Sequence, residues 1–391
     1  MRHLRGPVAF ILALMITIVP LGAAAIAADT HDSPMARGGP ARTGETLGPA
    51  PDPDEELVIR WQFETDGWVV TSPAVVGGTA FFGSGREDGK FSAVDVATGE
   101  AHWQRNMGAG IYASPAVADG VVYFGGERHH LYALDAATGE ERWRFEAEGD
   151  IYSAPAVVAG VVYVGSWDGH LYAIDAVSGE QRWRFATGDT VWSAPAVVEG
   201  VVYIGSDDGN VYGIDAESGQ ERWRFETGDR VMASAAVVDG AVYIGSEDGN
   251  VYAIDAATGA ERWRFTTGGK IQTSAAVVDG VVYAGSNDGI LHALAATTGE
   301  ELWTFDLGEN IYASPTVADG IIYVGGSDHY LIAIDAASGG ELWRIEYVWH
   351  VTCDPVVVDG AVYVCIDDGA VYAMANPEIR SLRTEFEPTG R

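Results

Sequence analysis

Ala133-Leu134-Asp135-Ala136-Ala137-Thr138-Gly139-Glu140-Glu141-Arg142-Trp143 decides the fold, because it returns along the chain. The same form runs over Ala93–Trp103, Ala173–Trp183, Gly213–Trp223, Ala253–Trp263, Ala293–Trp303 and Ala333–Trp343, departing at Gly213 and at Ala295, which stands where the others have Asp. Its tryptophans step by 40 residues, with Trp61 ahead of the series by 42. Two further markers keep the step. A glycine turn recurs at Gly120, Gly160, Gly200, Gly240, Gly280, Gly320 and Gly360, with Gly78 ahead of it. A Ser-Pro-like pair recurs at 72–73, 114–115, 154–155, 194–195, 234–235, 274–275, 314–315 and 354–355. Eight units follow from three independent markers.

Each unit reads as four short strands. In the third, Ser153 to Val158 is an apolar run closed by Ala159-Gly160, and Val161 to Ser166 follows it. Asp168-Gly169 turns the chain into His170–Asp175, and Ser178-Gly179 turns it into Gln181–Thr187. Even spacing of short strands between turn residues, at a period of about 40–45, predicts an all-β chain, a β-propeller of four antiparallel strands per blade. Unit eight stops after its third strand near Met374, and Leu57–Thr65, with Arg60-Trp61-Gln62-Phe63, matches the missing fourth. The N-terminal strand is therefore expected to close the last blade, giving one eight-bladed domain over 55–376. Length alone, at about 150 residues per domain, would suggest two or three.

Composition bounds the function. Of 391 residues, 47% are hydrophobic, 10% aromatic and 20% charged, which excludes a disordered or collagen-like chain. The formal net charge of −33, with only Lys90 and Lys270 as lysines, opposes a phosphate backbone, so no nucleic-acid partner is expected. It suits a soluble monomer, either from a high-salt source or as an ordinary acidic exported protein. Arg2 and Arg5, the apolar stretch Pro7–Leu21 and Ala23-Ala24-Ala25-Ile26-Ala27-Ala28 form a signal-peptide pattern over 1–28. Residues 29–54 read as a linker and 377–391 as a C-terminal tail. The mature chain is expected in the periplasm or outside the cell with no integral membrane span. No cysteine follows the apolar run to carry a lipid anchor.

The docking stretch resembles the tryptophan-docking motif of PQQ-type (pyrrolo-quinoline quinone) quinoprotein propellers, and Met35–Gly44 resembles a segment found ahead of the first blade in bacterial PQQ-like repeat proteins. The motif is structural: Asp accepts backbone N–H bonds in the turn, and Trp61, Trp103, Trp143, Trp183, Trp223, Trp263, Trp303 and Trp343 bury area between blades. The dehydrogenases of this family bind PQQ and calcium in the central funnel, beneath a vicinal disulfide and beside an Asp base. This chain has no vicinal cysteines, places neither that base nor the calcium ligands, and keeps every unit close to minimal length. The other branch, the BamB-type envelope scaffold, is an eight-bladed propeller without catalysis. It is normally a lipoprotein.

A site is sought where the units diverge. Three positions before the Pro stand Val70, Tyr112, Tyr152, Trp192, Met232, Gln272, Tyr312 and Thr352; two residues earlier stand Trp68, Gly110, Asp150, Thr190, Arg230, Lys270, Asn310 and His350. Tyr112, Tyr152, Trp192 and Tyr312, with Arg230, Lys270 and His350, predict a funnel mouth for an acidic or planar ligand. Packing between inner strands is the alternative. Asp168-Gly169, Asp208-Gly209, Asp248-Gly249, Asp288-Gly289 and Asp368-Gly369 read as hairpin turns, too sparse in oxygens for calcium. Arg128-His129-His130 and Asp328-His329 break that turn. His329 and His350 fall on neighbouring blades, but two ligands do not make a metal site, and none is expected.

The Arg row at 142, 144, 182, 184, 222, 224, 262 and 264 reads as protection of exposed edges. Ala159 and Glu199 would be strained in a two-residue type I′ turn, so a three-residue loop is expected, which sets Cys353 opposite Cys365, either as a disulfide or as two thiols. The same register sets Ala113 opposite Gly125 and Ser193 opposite Gly205. No catalytic residue and no cofactor is assigned from the residues themselves; PQQ and calcium enter through the resemblance alone. The reading is an exported, non-enzymatic scaffold for envelope or secreted proteins. The alternatives are a PQQ-dependent alcohol dehydrogenase or a small-molecule or carbohydrate receptor.

Overall fold

The repeat folds as its turn residues dictate. A computed structural model describes residues 33–377 apart from 34, 47, 66, 86–88, 327–328, 348–349, 352 and 367. The expected signal peptide and residues 378–391 lie outside the described residues. Blade 3 has the inner strand Ala156–Val158, then Val161–Gly165, His170–Asp175 and the outer strand Gln181–Ala186. Eight such four-stranded antiparallel sheets form the molecule. The eighth takes Val58–Glu64 as its outer strand, with Trp61 opposite Ala373 and Phe63 opposite Val371.

Second strands are buried throughout because both their faces meet neighbouring blades, whereas outer strands alternate toward solvent. The core is eight clusters, each shared by two blades. Between blades 4 and 5, for example, Tyr203 and Val211 pack against Val242 and Ile254. Along the rim, Arg142, Arg182, Arg222 and Arg262 reach the Asp of their own docking turns at 2.7–2.9 Å. Arg144, Arg224, Arg264 and Arg344 pair with Glu three residues before them. The row is a paired surface rather than an open anion belt.

One turn differs from expectation. Val158 pairs with Val161, so the first hairpin is a two-residue turn with Ala159 at φ 49 and Gly160 at φ 73. Asp119, Glu199, Asp239, Asp279, Asp319 and Asp359 adopt the same left-handed backbone. The turn's twist matches that of the strands, and the next hairpin anchors it through Ala176 N–H to Gly160 O at 3.0 Å. Ala159 and Glu199 carry the strain instead of relieving it by a longer loop.

The register of the small pairs shifts with that turn. The inner ladder ends at Ala196 opposite Tyr203, and Pro195 has no N–H to extend it. Ser193 meets Gly205 by side chain: Gly205 N–H donates to Ser193 Oγ at 3.1 Å. Blade 8 repeats this with sulfur, Cys365 N–H donating to Cys353 Sγ at 3.0 Å. The two cysteines are neighbours, yet both are free buried thiols rather than a disulfide, and Cys365 Sγ–H turns to Thr71 O at 3.2 Å.

The linker reading fails for 33–46. Val197, Val237, Val277 and Val317 donate their N–H groups to Pro40, Ala41, Thr43 and Gly44 carbonyls at 2.7–3.0 Å. Ser33 and Val75 exchange two such bonds, and Thr46 N–H returns one to Val317 O. The segment thus lies on the central axis and pairs the exposed inner edges of five blades. Gly44, at φ +74, has no room for a Cβ, which would stand 2.8 Å from that of Ala276. That close approach is the physical content of the Met35–Gly44 motif.

Candidate functional site at the channel mouth

Each blade entry is tied to the turn after its second strand. Trp167, Asp207, Glu247 and Asn287 donate their N–H groups to Asp150, Thr190, Arg230 and Lys270 carbonyls, all at 2.9 Å. Both sets of divergent residues therefore share one face. The Asp-Gly turns hold it: Asp208 Oδ2 accepts from Gly188 N–H at 2.7 Å and from the Tyr212 hydroxyl at 2.5 Å. Burial pushes the Asp208 carboxyl up, but bonds from Tyr212, Gly188 and Asn210 outweigh it and hold the group below its ordinary value.

The mouth divides into two halves. On blades 2–4, Tyr112 and Tyr152 meet edge to face with centroids 5.1 Å apart, and Tyr152 and Trp192 lie at 5.7 Å. Trp167 enters between them, 4.5 Å from Tyr152 and 4.6 Å from Trp192, and remains 38% exposed. On blades 5–6, buried Glu247 accepts Lys270 Nζ and Gln272 Nε2, both at 2.6 Å, and Asn287 Nδ2 reaches Gln272 Oε1 at 3.1 Å. Lys270, expected with the exposed Arg230 as a local positive charge, is thus a cation paired with Glu247, which raises its pKa. Tyr312 stands apart, 54% exposed, with Asn310 Nδ2 donating to its hydroxyl at 2.8 Å. His350 stacks on His329 at 4.7 Å, across the blade boundary expected for the pair. Thr352 lies outside the described residues.

Beneath the mouth, a belt of hydrogen bonds passes from blade to blade. Ser72 N–H donates to Ser114 Oγ, and Ala194, Ser234 and Ser274 N–H donate to the hydroxyls of Ser234, Ser274 and Ser314. Ser314 N–H meets Asp354 Oδ1 at 2.6 Å, and Asp354 N–H meets Ser72 Oγ at 3.1 Å. Ala154 and Ala194 supply no hydroxyl, and Arg42 fills that sector. Its Nη2 donates to Ala154 O and Pro155 O, and its Nε to Pro195 O at 2.7 Å. Arg37 Nη2 bonds Ala275 O, and its Nη1 lies 3.8 Å from Asp354. Burial, reinforced by the Arg37 charge, lowers Arg42 to about 9.

Trp167, Glu247, Arg37 and Arg42 were not identified from the sequence. The first two occupy a third divergent slot, where blades 2, 4 and 6 have Glu127, Asp207 and Asn287. The arginines were hidden by the linker reading. The described residues do not fit a quinone–calcium pair on the axis: Arg37 and Arg42 fill it, and among the described residues no three His, Cys, Asp or Glu side chains converge.

The family described as outer membrane protein assembly factor BamB matches residues 87–227, 207–309 and 287–378. No curated protein sequence matches the chain. Among solved structures, BamB from Moraxella catarrhalis is similar at 22% identity and TM-score 0.72, covering 83% of this chain and 98% of that one. A europium-containing methanol dehydrogenase aligns at 15% identity and TM-score 0.79, over 89% of this chain and 98% of that one. Quinohemoprotein alcohol dehydrogenase from Comamonas testosteroni aligns at 17% identity and TM-score 0.76, over 89% and 81%. At these identities the structural likeness shows the fold alone.

Proposed function

Because the chain belongs to the BamB-like family of PQQ-repeat propellers, we propose that it is an exported, non-enzymatic scaffold holding envelope or secreted proteins at its channel mouth. The observation that carries this reading is the chain's own 33–46 segment on the axis. With five of the eight inner edges paired to that segment, a partner is met chiefly at the channel mouth. The rim presents what protein interfaces use, exposed aromatics at Trp68, Trp167 and Tyr312 beside paired charges. Among the described residues no helix is long and apolar enough to cross a membrane.

A second reading, a receptor for a planar or carbohydrate ligand, is favoured by the contact of Tyr152, Trp167 and Trp192. The dehydrogenase reading has less support, since the axial residues do not suit its cofactors. The test is incubation of the purified protein with PQQ and calcium, followed by quinone absorbance and alcohol-dependent dye reduction. The scaffold reading expects neither, and expects Trp167→Ala to lose envelope proteins that the parent retains on cross-linking. Stoichiometric PQQ with turnover would overturn it.

A further inference from the structure

The boundary between blades 7 and 8 breaks the docking rule. At the other seven, the indole N–H reaches a carbonyl of the next blade, as Trp143 reaches Ala176 O at 3.0 Å and Trp61 reaches Val96 O at 2.7 Å. In five of them a tyrosine hydroxyl converges on the same oxygen, Tyr123 on Ala176 O at 3.2 Å being one. The repeat step would assign that acceptor for Trp343 and Tyr323 to the Asn376 carbonyl, but Arg60 takes it. The Tyr323 hydroxyl is buried with no partner, and Trp343 gains no acceptor among the described residues. Beside Trp343 lies a groove of about 1070 Å³ with an apolar floor of Leu57, Ile59, Trp343, Ile345, Tyr347 and Met374 and acidic edges at Glu55, Glu56 and Glu346. Ile59 is 56% exposed there.

We infer that this groove is the docking site of the chain's own residues 378–391, which supply an acceptor for the Trp343 indole and the apolar cover that the eighth blade lacks. The segment leaves from the edge of the groove: Asn376 is fixed by Asp52 N–H at 2.6 Å and by the Asp52 and Glu55 carbonyls, and Pro377 follows. It carries the apolar residues Ile379, Leu382 and Phe386, and its Arg380 and Arg383 are opposite in charge to the groove's Glu55, Glu56 and Glu346. Fourteen residues can extend to roughly 46 Å, more than twice the length of the six-residue strands that flank the groove. An indole N–H left without a partner is costly, so an acceptor delivered to Trp343 by a tethered segment is favourable.

The test uses the full chain carrying Ile379→Ser, Leu382→Ser and Phe386→Ser, titrated calorimetrically with a synthetic peptide of residues 378–391. One equivalent should bind this variant. The parent should bind at least about tenfold more weakly, because its tethered segment competes at an effective concentration on the order of millimolar. Adding Ile345→Asp to the variant should abolish binding. Failure of the peptide to bind the variant, or equal binding to variant and parent, would overturn the inference; equal binding would mark the groove as open to a segment of another protein.

Discussion

The boundary between blades 4 and 5 and that between blades 7 and 8 carry the same tryptophan in different surroundings. Trp223 is buried, donates to Ala256 O at 2.9 Å and lies against Gly259, while Tyr203 joins the same carbonyl at 3.2 Å. Trp343 is half-buried with Ala50 packed nearby and without that acceptor. The indole supplies area at both boundaries, but the docking interaction also needs a carbonyl and a glycine from the following blade. Next to the second boundary, the eighth blade is itself completed by the ladder of Val58–Glu64 on Ala370–Ala375.

Truncating the two indoles should separate these contributions. Trp223→Ala should cost about 3–5 kcal/mol in urea denaturation, and Trp343→Ala about half of that. Equal losses would mean that the indole area alone carries the seam.

The axial arginines offer a similar contrast on a smaller scale. Arg42→Met strands four carbonyls, those of Ala36, Ala154, Pro155 and Pro195, and should cost about 2–3 kcal/mol. Arg37 has one such bond, with Nε and Nη1 making no hydrogen bond and Asp354 at 3.8 Å from Nη1, so Arg37→Met should cost under about 1 kcal/mol or stabilise. The thermal midpoints of the two variants, compared in one buffer, check the order.

Smaller effects are expected where one repeat lacks what its siblings have. Ala295 cannot cap its turn as Asp255 caps Thr258, so Ala295→Asp should add about 0.5–1 kcal/mol. Ala159→Gly should add about 0.5 kcal/mol by relieving a left-handed backbone.

Acid should act through the same docking turns. The Arg262 bond, with those from Thr258, holds Asp255 at about 2, and Arg182 and Arg222 hold Asp175 and Asp215 well below the carboxylate range. These groups have folded values below the unfolded value of about 3.9. Their stabilisation is complete above that pH and is lost as pH falls from about 4 through the folded values. A thermal midpoint that stayed constant between pH 5 and 2.5 would contradict this account of the docking turns.

The ring was legible because its markers are geometric necessities repeated at one step: an indole, a left-handed glycine, a turn carboxylate. Trp61 could be assigned to the eighth blade for the same reason. Two local readings failed where tertiary packing outweighed propensity. Ala159 accepts positive φ because the blade interior fixes Val158 opposite Val161. Residues 33–46, without periodicity, read as linker, yet the unpaired inner edges of five blades recruit them. The mouth was legible in part: Tyr112, Tyr152 and Trp192 do adjoin, whereas the pairing of Lys270 with Glu247 joins a blade entry to the turn after the preceding blade's second strand, which the repeat spacing does not signal.

The central claim is that the chain fills its own channel and works at the rim. A crystal structure determined with PQQ and calcium in excess tests it most directly. The account predicts Arg37 and Arg42 on the axis, bonded to Ala275, Ala154 and Pro195, with no quinone among them. A quinone and a calcium ion on that axis, with residues 33–46 displaced, would contradict it.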